Sequence, residues 1–275
     1  MNWTYLLLNL GSLAIPLAFS RSGRFGFGAH WGKAWAAVAL SALPFLAWDV
    51  WFTRQGVWSF NPRYHLGASF LGLPLEEWLF FLAIPFACLF IYRQYRGTLD
   101  PGAAGRGRLS RIRPLFLVAT WSAAALFLTA AAFVNAGRAY TLVVCLLGAA
   151  TAAFLAFVRP RWSAALLAAV LTQYLPFFLV NGALTALPVV IYSGEAILGL
   201  RIGTIPVEDS VYAFILLAWP VAVFEALLGR SLPARDAGEA GPAEAGTEPV
   251  SDGESAAAAE AAASGTGHGR GRTVG

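Results

Sequence analysis

Apolar residues run along this chain in long blocks, separated by short connections that are basic in some places and aromatic in others. A bilayer core of roughly 30 Å takes about 20 apolar residues as a helix. Seven blocks approach that length and predict transmembrane helices at about 3–20, 32–52, 74–92, 114–134, 139–158, 162–184 and 206–228. Pro44 and Pro176 fall inside the second and sixth, where a proline kinks or loosens a helix. The first block has no basic leader and no Ala-x-Ala cleavage site, so it reads as a retained helix.

Two polar interruptions organise the pattern. At Leu73-Pro74-Leu75-Glu76-Glu77-Trp78, adjacent carboxylates sit just inside an apolar helix, with Pro74 read as its first residue. The helix dipole favours acids there, so ordinary capping accounts for one such start. The same arrangement returns 132 residues later at Ile205-Pro206-Val207-Glu208-Asp209-Ser210. One shift, without a gap, also aligns Pro44-Phe45 with Pro176-Phe177, Asp49 with Asn181, Gly67 with Gly199 and Phe80 with Tyr212. A proline, a polar residue, a glycine and an acid pair in one register predict a tandem duplication.

Under that shift helices 1–3 map onto helices 5–7, and helix 4 is an unmatched connector. Four crossings separate the two copies, so both enter the membrane from one side. The expected fold is an all-α integral membrane protein of seven transmembrane helices, built as two parallel three-helix repeats. Residues 1–96 form the first repeat, 97–135 the basic loop and connector, 136–230 the second repeat, and 231–275 a tail. Both acid pairs then lie at one depth.

Composition agrees with a membrane chain. It is 58% hydrophobic and 12% charged, half the charged share of a typical soluble domain. Arg21, Arg24, Lys33, the six arginines of 93–113, Arg159, Arg161, Arg230 and Arg235 fall on one side. Arg54, Arg63, Arg138 and Arg201 fall on the other. The positive-inside bias places the N-terminus outside and the C-terminus in the cytoplasm. Basic residues in loops report topology and do not imply nucleic acid as a partner. The tail has no aromatic residue and cannot bury enough surface to order itself. Cys88 and Cys145 lie in apolar blocks and are expected to pack within helices.

The connections before the acidic helices are unusually apolar. Residues 56–67 carry Trp58, Phe60, Asn61, Tyr64 and His65, and residues 192–205 have Glu195 and Arg201 as their only charges. They read either as an interfacial aromatic belt or as a lid over the acids.

Several chemistries are disfavoured. The one lysine, Lys33, is not in the last helix, where a retinal protein needs it. Three histidines are too few for di-iron oxidation, no GxGxxG follows a strand, and no aspartate-rich cluster holds magnesium diphosphate. Neither a cofactor nor a metal is expected. Acid–base work remains, carried by Glu76, Glu77, Glu208 and Asp209 with Asp49 and Asn181 nearby. A carboxylic acid kept protonated in a water-poor site can protonate a carbon–carbon double bond. Trp48, Trp51, Trp58, Phe60, Trp78, Phe80, Phe81 and Tyr212 offer π faces to the cation, and a second carboxylate can later remove a proton. That is the logic of olefin cyclisation.

Phe60-Asn61-Pro62, the run Leu73 to Phe81, and Ile197 to Ile202 followed by Ile205 to Asp209 resemble the lycopene cyclase domain family of small membrane cyclases. In that family two three-helix units occur as separate subunits or fused, and this chain is similar to the fused form over about residues 3–228. Ser210 and Ala213 stand where the first copy has Trp78 and Phe81, so the copies are not equivalent. The resemblance implies cyclisation of acyclic carotenoid ends, without redox change, in carotenoid biosynthesis beside other enzymes of that route. It implies the acid pairs as catalytic groups. Asp49, Trp58, Asn61, Trp78, Phe80, Asn181, Arg201 and Tyr212 become substrate-positioning candidates, and an ion pair with Glu195 or Glu208 is the structural alternative for Arg201. A C50 carotenoid cyclase, a proton-coupled transporter and a carotenoid-binding membrane protein are the rival readings.

Overall fold

The computed structural model describes residues 3–20, 27–96 and 113–229. The expected tail, and three of the six arginines of 93–113, lie outside the described residues. The helices are α1 (Thr4–Ser20), α2 (Trp31–Arg54), α3 (Leu75–Arg96), α4 (Pro114–Val134), α5 (Ala139–Val158), α6 (Ser163–Ala186) and α7 (Glu208–Leu227). Six of them are long and apolar enough to cross a membrane, which makes the chain a multi-pass membrane protein. The exception is α1, with 17 residues. Helices dominate because a backbone in lipid must satisfy its own hydrogen bonds.

Helices dominate, but the connections are not purely irregular. Strands β1 (Trp58–Phe60), β2 (Ser69–Phe70) and β3 (Leu73–Pro74) precede α3, and β4 (Val190–Tyr192), β5 (Arg201–Ile202) and β6 (Ile205–Pro206) precede α7. Each later strand begins 132 residues after its earlier counterpart. Pro74 and Pro206 therefore lie on strands, paired with Ser69 and Arg201, and not at first helical positions. Proline costs little there, since a two-residue edge strand can spare one N–H donor.

β2 pairs with β3 and β5 with β6, making one small hairpin before each acidic helix. β1 and β4 instead pair with each other, antiparallel, with Trp58 opposite Tyr192 and Phe60 opposite Val190. Ahead of each hairpin the chain turns at a glycine with positive φ, Gly67 at 92° and Gly199 at 81°, which explains why both glycines stand in register.

The shift is not uniform over the whole chain. Tyr5 N–H donates to Tyr64 O and Tyr140 N–H to Ala196 O, so α1 corresponds to α5 at an offset of 135. The second copy is three residues shorter between its first two helices, which corrects the single-offset mapping of helix 1 onto helix 5.

α4 lies against α5. Its Trp121 stacks on Phe214 of α7 at 5.6 Å and donates to Ser163 Oγ at 2.7 Å. Gly148 of α5 permits this closeness, since a Cβ there would lie 2.6 Å from Val211 and 3.0 Å from Leu128. At the far ends of α3 and α7, Glu225 accepts from Tyr92 at 2.6 Å and from Arg96 Nε at 2.9 Å, all of them buried. Cys88 and Cys145 are buried and unbridged.

Candidate active site

Glu76 and Glu77 occupy the first turn of α3, and Glu208 and Asp209 that of α7. Adjacent helical residues point about 100° apart, so the two members of each pair cannot share an environment. Glu76 Oε1 accepts the Leu66 N–H at 2.7 Å, and Glu208 Oε1 accepts the Leu198 N–H at 2.6 Å. These acids fasten the glycine turn before each hairpin and do not line the central cavity.

Glu77 and Asp209 do line it. Asp209 accepts from Tyr140 at 2.7 Å, from Asn181 Nδ2 at 2.8 Å and from Tyr192 at 2.9 Å. Burial, with Asp209 beside it, pushes the Tyr192 phenol well above its ordinary range, so it remains a donor. Glu77 accepts from the Tyr5 hydroxyl and has the Asp49 carboxyl within hydrogen-bond reach. Asp49 Oδ1 accepts from Trp58 Nε1 at 2.6 Å, while its Oδ2 has no donor beside it. The two copies thus differ where it matters: Asp49 meets Glu77 as acid to acid, and Asn181 meets Asp209 as donor to acceptor.

The cavity holds about 510 Å³ and is mostly apolar. From its acid end it runs between α1, α3 and α6, past Ile84, Ala87, Phe177 and Val180, to Ile15 and Pro16. Trp58 and Phe60 of β1 and Val190 and Tyr192 of β4 cover the acid end, and Phe80, Tyr140 and Tyr212 add further rings. Among the described residues no group of three or more His, Cys, Asp or Glu side chains is arranged to hold a metal ion.

Of the sequence candidates, the structure brings Asp49, Trp58, Glu77, Phe80, Asn181, Asp209 and Tyr212 to this cavity. The others are elsewhere. Asn61 Oδ1 accepts from Arg63 N–H within its own turn, and Trp78 donates to Phe70 O on the outer hairpin. Arg201 donates to Thr204 O on the exposed hairpin and pairs with neither Glu195 nor Glu208. Tyr5, Tyr140 and Tyr192 had not been singled out. Tyr5 and Tyr140 are a matched pair that only the second offset reveals.

The family model for lycopene cyclase matches the chain over residues 2–95 and again over 137–227. The chain belongs to the lycopene cyclase family. The two matched stretches are separated by α4. No curated protein and no solved structure matches the chain. Membership places this lycopene cyclase family member among carotenoid cyclases acting on a lipophilic substrate, and the cavity is where acids and apolar walls meet.

Proposed function

We propose that the chain cyclises the acyclic ends of lycopene to β-ionone rings by proton transfer within this cavity, as an isomerase without cofactor. One observation carries the reading: an acid–acid pair and a thrice hydrogen-bonded carboxylate face the same aromatic-walled, apolar space. Two carboxyls in contact need one proton between them, so Glu77 with Asp49 is the proton source. Donors occupy both oxygens of Asp209 and hold it toward the cavity, which suits it to act as base.

The proton adds to the terminal double bond and leaves a tertiary cation. The neighbouring alkene attacks, one carbon–carbon bond forms, and the charge moves onto the ring. Trp58, Phe80 and Tyr212 face the cation. Asp209 then removes a ring proton, so the product has the formula of the substrate. Glu76 and Glu208 hold the turns that keep β1 and β4 over the site.

For the architecture we propose seven spans, with α1 crossing as well, in two parallel three-helix repeats joined by α4. The arginine asymmetry then sets the N-terminus outside and the acid site toward the outer leaflet.

The test is expression in a lycopene-accumulating bacterium with separation of the pigments. Monocyclic and bicyclic products are expected. Unchanged lycopene, with the protein confirmed in the membrane, overturns the reading, and C50 carotenoids are then the substrates to assay.

A further inference from the structure

The two copies line two clefts, and only one reaches the acids. The first lies between α1 and α6 with α3 as its floor. Its rim residues Leu7, Ile15 and Leu179 are exposed on the outer, lipid-facing side. From Tyr5 to Pro16 it follows α1 for about 16 Å, at 1.5 Å per residue. The corresponding space, walled by α5 and α7, is cut short. It survives as a separate hollow of about 270 Å³, lined by Leu147, Ala150, Phe154, Trp219 and Ala222 among others, with no acid on its wall.

What closes it is a set of rings. Trp219 of α7 packs on Phe45 at 5.0 Å and donates to Thr151 Oγ1 of α5 at 3.0 Å. Behind it Trp48 meets Tyr212 at 5.2 Å and Tyr140 at 6.2 Å. At the offset of 132, Trp219 corresponds to Ala87 and Trp48 to Val180, both on the wall of the open cleft. Two small-for-large exchanges therefore separate a passage from a plug.

We propose that the carotenoid enters laterally from the bilayer through the α1–α6 cleft alone, its polyene lying along Ala87 and Ile84 with one end at the acids. Resting on the cyclase reading, this requires the two ends of a molecule to be cyclised in succession at one site, with release and re-entry between them. Ala87 sets the width of the passage, and Trp219 with Trp48 denies the second copy an equivalent one.

The test uses the full chain in proteoliposomes, with Cys88 and Cys145 replaced by alanine and a single cysteine introduced as Ala87→Cys or Ala222→Cys. N-ethylmaleimide labelling is followed with and without lycopene. Slower labelling of Ala87→Cys only is expected, and protection at Ala222→Cys, or at neither, overturns the proposal. In lycopene-accumulating cells, Ala87→Trp should lose monocyclic and bicyclic products together, while Trp219→Ala keeps both. The reverse result also overturns it. A chain that leaves lycopene acyclic yet shields Ala87→Cys fails as a cyclase and keeps the passage. One that cyclises lycopene but shields Ala222→Cys does the opposite.

Discussion

At the scale of residues, each adjacent acid pair divides into a cavity acid and a turn-holding acid. Glu77→Gln and Asp209→Asn are expected to lower cyclisation by about 10²–10⁴-fold, the usual weight of a general acid or base. Glu76→Gln keeps an oxygen to accept the Leu66 N–H, so activity within about tenfold of wild type is expected from the loss of about 1 kcal/mol in one hydrogen bond. Pigment ratios at equal membrane levels decide, and equal losses in Glu76→Gln and Glu77→Gln would remove the distinction. Tyr5→Phe takes away the phenol hydroxyl donated to Glu77 and should reduce turnover without emptying the membrane of protein. The acid pairs were legible in the sequence because carboxylates are rare in apolar blocks. Their division was not drawn, although the 100° step between neighbours contains it. The phenols were hidden for another reason: tyrosine is ordinary at the ends of membrane helices, and a single alignment shift passes over Tyr5 and Tyr140.

At the scale of elements, α3 and α7 are tied at the ends remote from the site by Glu225 with Arg96 and Tyr92. Breaking a buried ion pair by removing one partner costs roughly 3–5 kcal/mol. Glu225→Ala should therefore lower the melting temperature in detergent sharply, and adding Arg96→Met should restore much of it. An unchanged melt for Glu225→Ala would show the tie to be dispensable. Gly148→Val places a branched side chain where even a Cβ would crowd Val211, so destabilisation of about 1–3 kcal/mol is expected in the same assay. The helices themselves were readable to within a few residues: α4 runs Pro114–Val134 and α5 Ala139–Val158, as the apolar blocks predict. The strands were not. Pieces of two or three residues have no period to detect, and β1 with β4 exists only through a partner about 130 positions away.

At the scale of the whole molecule, the proposed topology predicts where reporters will appear. Fusions at residue 100 and after residue 230 should both report cytoplasm, and one at residue 60 should not. Opposite sides for the first two would break the parallel arrangement. The common register of Asp49 with Asn181, Gly67 with Gly199 and the two acid pairs was legible in the sequence. The unequal fates of the two clefts were not, since Ala87 and Trp219 are each unremarkable in an apolar helix until the open cleft is seen beside the first and the closed hollow beside the second.

The pairing of β1 with β4 has a consequence for ancestry. Exchanging the copies at the offset of 132 sends Trp58 to Val190 and Phe60 to Tyr192, and the observed register, Trp58 opposite Tyr192 and Phe60 opposite Val190, maps onto itself. A strand edge of that kind is its own complement. A single three-helix unit could have met a second copy of itself through the same three residues, with Ser59 facing Ser59 on the dyad. The β1–β4 seam of this chain has the register such a homodimer would need. Residues 1–96 produced alone should still carry it, and a Ser59→Cys version of that fragment should cross-link to itself in membranes, while a cysteine on the far side of α2, at Leu40, should not.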